Sequence, residues 1–135
     1  MLETFPDKVR IVFKNYPLVK IHKFSGKAAL TAYAAHLQGK FWVVHDEFLK
    51  IPDQLNDEKI QEIVRAAGLN EEQLERDRNS QRVVDHVQKD LDEAYRLGVN
   101  SVPTVFVNGK RLRDRSFDSL AAAVEKELKK KPAKK

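Results

Sequence analysis

The order of apolar and polar positions divides the chain into one short strand, a long helical block, and a final hairpin with a helix. The strand is predicted at Val9 to Phe13, where the run VRIVF is bounded on both sides by turn-forming residues. Apart from Arg10 its residues are all apolar, which is typical of a strand that is buried on both faces. The run therefore predicts a core strand near the N-terminus.

Helical spacing of apolar residues dominates the next 70 or so positions. The predicted helices cover residues 25–38, 40–49, 60–67, a short segment beginning at Asn70, and 80–97. Ser25 is the expected N-cap of the first helix, and Asn70 with Gln73 forms a capping-box pair. The longest helix has an expected core stripe, consisting of Val83, Val87, Leu91, Ala94 and Tyr95.

A hairpin is predicted near the C-terminus, because TVFV and KRLR flank the dipeptide Asn108-Gly109. Pro103 stands directly before the first hairpin strand. Proline has no N–H for a sheet ladder, so it is expected at the first residue of a strand. A last helix is predicted from Phe117 to about Lys130, with an inward stripe of Phe117, Leu120, Val124 and Leu128.

The size and composition are those of a single globular domain, with 135 residues, 41% of them hydrophobic and 33% charged. No apolar run approaches the roughly 20 residues that a membrane span requires. The first ten residues, MLETFPDKVR, lack the apolar core of a secretion signal. The chain as given is therefore expected in the cytoplasm.

The positive net charge of +5 comes from the basic tail at residues 129–135, KKKPAKK. Without its five lysines, 20 basic residues balance 20 acidic residues. No aromatic side chain is interleaved with these lysines for base stacking. We therefore expect a solvated tail and no specific binding of nucleic acid.

The chain contains no cysteine, which excludes disulfides, thiolate metal sites and cysteine nucleophiles within these residues. The four histidines, at positions 22, 36, 45 and 86, show no paired metal-ligand spacing, so no metal site is predicted. Phe41, Trp42 and His45 form an aromatic group that either belongs to the core or lines a groove. No glycine-rich phosphate loop, paired carboxylate site or serine–histidine arrangement is present.

Three segments together resemble one family. GVNSVPTVFVNGK, at 98–110, followed by an amphipathic helix resembles the C-terminal half of a thioredoxin fold. QGKFWVVHDEFL resembles the helical insertion of DsbA-like thiol-disulfide oxidoreductases, and PDKVRIVFKNYPL resembles that family's second core strand. The similarity covers nearly all of residues 5–128.

The resemblance implies an α/β, thioredoxin-like fold with an all-helical insertion and a C-terminal β-hairpin plus helix. Residues 1–135 would form a single, incomplete domain whose first core strand is absent. The insertion would span about 25–97, and the cis-proline loop, hairpin and last helix would span 98–130. LETF, at residues 2–5, would correspond to the end of the family's first helix.

The site implied by the resemblance is a substrate-binding segment of Val102, Pro103 and Thr104. In the family, a cis-proline loop lies beside a C-x-x-C motif, and the residue before the proline binds an extended peptide through its backbone. The C-x-x-C motif is missing here. The resemblance thus implies no catalytic residue within this chain, and no separate cofactor, since cysteines are the family's only redox centre.

Three functions follow as alternatives. The chain is the C-terminal part of a disulfide-forming or isomerising oxidoreductase, whose complete members are usually exported and act on protein or peptide substrates. Alternatively, it is a non-enzymatic module that binds extended peptides. A weaker alternative is a relative of the glutathione-using isomerases and transferases. Because a missing central strand exposes backbone groups, the chain is expected to be unstable alone, or to pair with a partner strand or a second copy.

Overall fold

Six α-helices and a two-stranded sheet make up the regular structure of residues 1–17 and 24–130, which the computed structural model of the chain describes. In chain order the elements are α1 (Ser25–His36), α2 (Phe41–Lys50), a 3-10 turn (Pro52–Gln54), α3 (Asp57–Ala66), α4 (Glu71–Arg78), α5 (Gln81–Arg96), β1 (Phe106–Val107), β2 (Lys110–Arg111) and α6 (Phe117–Leu128). The helical block and the terminal hairpin with its helix agree with the sequence pattern. No helix among these residues is long and apolar enough to cross a bilayer.

The chain divides into two compact units. One unit runs from Lys14 to Gly98 and contains α1 to α5. The other combines Met1 to Phe13 with the segment from Val99 onward, and contains the hairpin and α6.

Helix α1 lies at the centre of the helical unit, in contact with α2, α4 and α5. Its alanines allow these close approaches, and Ala34 and Ala35 are completely buried. The larger side chains of the same cluster come from the surrounding elements and are Val44, Phe48, Ile60, Val64, Leu69 and Leu74. Small residues on one helix and branched residues around it thus build this core.

Side-chain caps begin four of the helices. Asn56, Asn70, Ser80 and Ser116 each accept a hydrogen bond from a backbone N–H of the first turn that follows. The capping box at Asn70 is only half formed, because the Asn70 N–H donates to Gln38 Oε1 at 2.9 Å instead of to Gln73. Ser25 is not a cap: it is the first residue of α1, and the N-cap position is Phe24.

Two buried polar groups join distant parts of the helical unit. Asp90 of α5 is only 4% exposed, and its Oδ2 accepts hydrogen bonds from the backbone N–H of Asn15 at 2.9 Å and from Asn15 Nδ2 at 2.8 Å. Arg78 of α4 is also buried, and donates to Thr31 Oγ1 on α1 at 3.4 Å and to Glu75. These contacts fix α5 and α4 against other segments of the unit.

Three expectations about apolar positions are wrong. In α6, Phe117 and Leu128 are 55% and 46% exposed instead of facing inward, and only Val124 of the expected stripe is buried. No strand forms at Val9 to Phe13, and Ile11 and Val12 are 49% and 60% exposed instead of buried on both faces. A strand exists only when its backbone is paired, and no partner strand adjoins this run in the described residues. Tyr95, expected in the core stripe of α5, is 86% exposed. Of that stripe, only Val83 and Val87 are buried.

Candidate functional site

The hairpin that follows Pro103 forms as the sequence predicts. Phe106 pairs with Arg111 and Val107 pairs with Lys110 in an antiparallel register. Asn108 and Gly109 have φ of 47° and 80°, the left-handed values that a two-residue turn of this kind requires. One further backbone hydrogen bond, from Leu112 N to Val105 O at 2.8 Å, extends the pairing toward Pro103.

The loop before the hairpin presents Val102, Pro103 and Thr104 as one continuous segment. The Val102-Pro103 peptide bond is cis, as the resemblance implied. The side chain of Val102 is 44% exposed. Within the part of the chain that the structure describes, the backbone N–H and C=O of Val102 make no hydrogen bond. An exposed peptide unit of this kind can pair with an extended chain.

Side chains hold this loop in place on both sides of Pro103. Thr104 Oγ1 donates to Ser101 O at 2.7 Å, closing a tight turn around the proline. Arg115 Nη1 donates to Pro103 O at 2.7 Å from the segment that leads into α6. The loop is therefore fixed in position while the backbone of Val102 stays available.

An open concavity of about 470 Å³ adjoins the loop. Its lining residues are Ser101, Pro103, Thr104, Arg111, Leu112, Arg113 and Arg115. Three of these are arginines and none is acidic, so the concavity is strongly basic although the body of the chain is neutral. In the sequence this stretch reads KRLRDR, at residues 110–115, and its alternating basic residues also fit an ordinary solvent-exposed strand.

Asp114 lies between two of these arginines in sequence, but its carboxylate belongs to the start of α6. It accepts hydrogen bonds from Ser119 Oγ at 2.7 Å and from the backbone N–H of Ser116 at 2.9 Å. Both hydrogen bonds lower the pKa of Asp114 below its usual value, and the bond from Ser119 has the larger effect. The carboxylate thus stabilises the first turn of α6, where a negative charge is favourable.

Glu127 of α6 joins the hairpin to the helix. Its Oε1 accepts hydrogen bonds from Lys130 Nζ at 2.8 Å and from Lys110 Nζ at 3.1 Å, and Asn108 Nδ2 lies 3.5 Å from Oε2. These hydrogen bonds lower the pKa of Glu127 from 4.5 to about 2, and the bond from Lys130 contributes more than the bond from Lys110. The ionised carboxylate therefore stabilises the hairpin against α6.

Acidification is expected to release this contact only at very low pH. A carboxyl group with a lowered pKa in the folded state contributes stability above its ordinary value of 4.5, and that stability is lost as the pH falls toward 2. In an NMR titration, the Asn108 side-chain amide signals should shift with a midpoint near 2. The Glu127→Gln variant should lack this transition, whereas a midpoint near 4.5 would show that the lysine contacts do not form in solution.

The aromatic group of α2 lies in the helical unit. The ring of Phe41 stacks on His45 with centroids 5.2 Å apart, and Trp42 meets His45 edge-on at 5.6 Å. Burial, opposed by the negative charge of Asp46, lowers the pKa of His45 below its usual 6.5. Trp42 is about half exposed. The group is therefore a partly exposed surface feature, and its role as core or groove lining stays a prediction.

The other described histidines pack against aromatic rings. His86 of α5 stacks face to face on Tyr33 of α1 at 3.6 Å, and His36 stacks on the same tyrosine at 5.4 Å. His22 lies outside the described residues, as do the last five residues of the basic tail. Over residues 1–17 and 24–130, no three histidine, aspartate or glutamate side chains gather as they would around a metal ion.

Comparison with known proteins identifies a domain family for this chain. The family model of the DSBA-like thioredoxin domain matches residues 8–125. A probable disulfide bond formation protein D from Bacillus anthracis is 34% identical over 130 residues, which are 91% of this chain and 59% of that protein. The corresponding protein of Bacillus cereus is 33% identical over 91% of this chain and 60% of its own length. The chain thus spans about three fifths of the length of these curated relatives.

Two further similarities come from a transporter and a solved structure. The Na(+)/H(+) antiporter NhaA 1 of Mycolicibacterium gilvum is 35% identical over 81% of this chain, but over only 18% of its own length. The crystal structure of a thioredoxin-like oxidoreductase from Silicibacter pomeroyi superposes with a TM-score of 0.71 at 30% identity, covering 79% of this chain and 62% of that one. The fold and the family model agree, and the chain belongs to the DSBA-like thioredoxin domain family.

Proposed function

We propose that this chain is the peptide-holding part of a DsbA-like thiol-disulfide oxidoreductase. Val102, Pro103 and Thr104 bind an extended segment of a protein substrate, and the redox thiols are supplied from outside these 135 residues. Thiol-disulfide exchange requires a thiolate, and the sequence has no cysteine to provide one. In this proposal the chain contributes binding and orientation, and makes no covalent bond to the substrate.

The observation that carries the proposal is the free peptide unit of Val102. Its N–H and C=O make no hydrogen bond within the described residues, although the two strands of the following hairpin pair with each other and the loop is held by Arg115 and Thr104. An extended peptide can add its own N–H and C=O to this unit, in the manner of strand addition. Pro103 has no N–H, so at this point the backbone offers the N–H of Val102 as donor and the C=O of Val102 as acceptor.

Replacing Val102 by proline tests this role, because it removes the N–H donor. We expect the dissociation constant for an unstructured peptide with a fluorescent label to rise about fivefold, since one hydrogen bond contributes roughly 1 kcal/mol. Val102→Ala keeps the donor and should change the affinity much less. Fluorescence anisotropy with the full 135-residue chain provides the measurement.

Thermal unfolding of both variants, followed by circular dichroism, separates a lost contact from a lost fold. Equal peptide affinities for the Val102→Pro variant and the unaltered chain, with both proteins folded, would contradict a role for this backbone group. Absence of any peptide binding by the folded, unaltered chain would contradict the proposed function itself.

A second proposal concerns a partner strand. Ile11 and Val12 are exposed apolar residues in a run with strand-forming composition, and residues 9–12 make no backbone hydrogen bond within the described residues. Exposed strand-forming segments of this kind pair readily with other chains. We therefore propose that this run pairs with a strand of a second copy or of a partner protein, which sedimentation over a range of concentrations would reveal.

A further inference from the structure

We propose that the basic concavity beside Pro103 makes the chain selective for acidic peptide segments. This inference rests on the proposed function, since it names the class of substrate that the Val102 to Thr104 segment would hold. Aspartate or glutamate side chains of the bound segment are received by the guanidinium groups of Arg113 and Arg115.

The charge of the concavity is not compensated by its own lining. All of its charged lining residues are arginines, and the neighbouring carboxylate, that of Asp114, is directed to Ser116 and Ser119 at the start of α6. Within the described residues, Arg113 is exposed and makes no hydrogen bond or ion pair. The site therefore carries positive charge that an anionic ligand can neutralise.

Arg115 connects the concavity to the peptide-binding segment. Its Nη1 donates to Pro103 O at 2.7 Å, which orients the guanidinium group at the edge of the loop. A guanidinium group has five N–H donors, so Arg115 retains donors for a second acceptor. A carboxylate matches the planar, forked geometry of such a group better than a neutral amide does.

The position of the concavity also fits an extended ligand. Its lining includes Ser101, Pro103 and Thr104, so it begins at the segment with which the peptide backbone would pair. Side chains of an extended peptide alternate between two faces, and every second residue would be directed to the same side. An acidic residue at alternate positions would thus lie over the arginines while the backbone pairs with Val102.

The test compares two labelled peptides of equal length, one with glutamate at alternate positions and one with glutamine at the same positions. At low ionic strength, the full-length chain should bind the glutamate peptide about fivefold more tightly than the glutamine peptide. A factor of about five corresponds to roughly 1 kcal/mol, the upper limit for an exposed ion pair. This preference should diminish at high salt, because exposed charges are screened.

Arg113→Gln should reduce the affinity for the glutamate peptide about threefold to fivefold and leave the glutamine peptide unchanged. The matched control is Arg82→Gln, which removes the same charge from an exposed residue of α5 in the helical unit. That control should bind both peptides like the unaltered chain. Thermal unfolding confirms that each variant is folded.

The two peptides keep the outcomes distinguishable. Equal binding of both peptides, with no effect of Arg113→Gln, would overturn the selectivity for acidic segments while the proposed function stands. An equal loss of affinity in the Arg82→Gln control would also overturn it, because net charge alone would then explain the preference. Failure of both peptides to bind would refute the proposed function together with this inference.

Discussion

The Asp90→Ala variant is expected to lose about 3 kcal/mol of its free energy of unfolding. Asp90 Oδ2 is the acceptor for two donors of Asn15, which is itself buried. A hydrogen bond to a charged group contributes roughly 1.5 to 3 kcal/mol, and a buried donor left without a partner costs about 1 to 3 kcal/mol. A loss of this size is a large part of the roughly 5 to 15 kcal/mol that stabilises a typical domain.

The substitution affects more than one contact. Lys14 Nζ lies 3.9 Å from Asp90 Oδ1 and 3.3 Å from Glu93, and His86 Nε2 lies 3.8 Å from Asp90 Oδ2. Removing the carboxylate leaves these basic groups beside an emptied polar site. Asp90→Asn retains one acceptor oxygen, so we expect it to lose about half as much, roughly 1.5 kcal/mol.

Urea unfolding, followed by circular dichroism and by the fluorescence of the single tryptophan, measures these differences. The matched control is Asp92→Ala on the same helix, where the exposed carboxylate accepts one hydrogen bond within the described residues, from Gln88 Nε2 at 2.9 Å. Both alanine variants gain the same helix propensity, and the control should change the unfolding free energy by no more than about 0.5 kcal/mol. Equal losses at the two positions would show that the contact with Asn15 contributes nothing specific.

Elements whose stability is local could be predicted from the sequence. The hairpin was predicted because Asn108 and Gly109 can adopt the left-handed conformation of a two-residue turn, whatever the rest of the fold does. The helices were predicted because periodic apolar residues and caps such as Asn70 and Ser80 lie within a few residues of each other. The cis bond before Pro103 came from the family resemblance, since no local pattern specifies it.

Features that depend on distant residues could not be predicted in the same way. Asp90 is a charged residue on the face of α5 that also buries Val83 and Val87, and its buried partner Asn15 is 75 positions away in the sequence. Tyr95 has the spacing of a core residue, but its position on α5 is solvent-exposed. The basic concavity needs the side chains of the hairpin and of the segment before α6 to converge on the loop at Pro103, which spacing alone does not show.

The failed strand prediction at Val9 to Phe13 has a specific physical cause. Its apolar composition indicates what the segment would bury in a complete sheet, but pairing requires a second strand, and the described residues supply none beside it. The family resemblance implies that this partner is the absent first core strand. The exposure of Ile11 and Val12 thus fits a strand-forming segment that has no partner strand among the described residues.

Introducing a charge into this segment is expected to weaken its pairing with another chain by at least about tenfold, equivalent to roughly 1.4 kcal/mol. In the Val12→Lys variant, pairing with another strand would bury the lysine ammonium group or bring it close to the same group of a second copy. Lysines on edge strands are a recognised way of preventing strand pairing. Sedimentation of the unaltered chain at increasing concentration should show association, and the variant should remain monomeric over the same range.

Leu49→Lys is the matched control, because Leu49 is an equally exposed apolar residue, 63% accessible, on α2 of the helical unit. It introduces the same charge without altering the strand-forming run, and should associate like the unaltered chain. Equal loss of association in both variants would attribute the effect to net charge. A monomeric, cooperatively unfolding unaltered chain would instead show that residues 9–13 need no partner strand, and would favour a self-sufficient peptide-binding module.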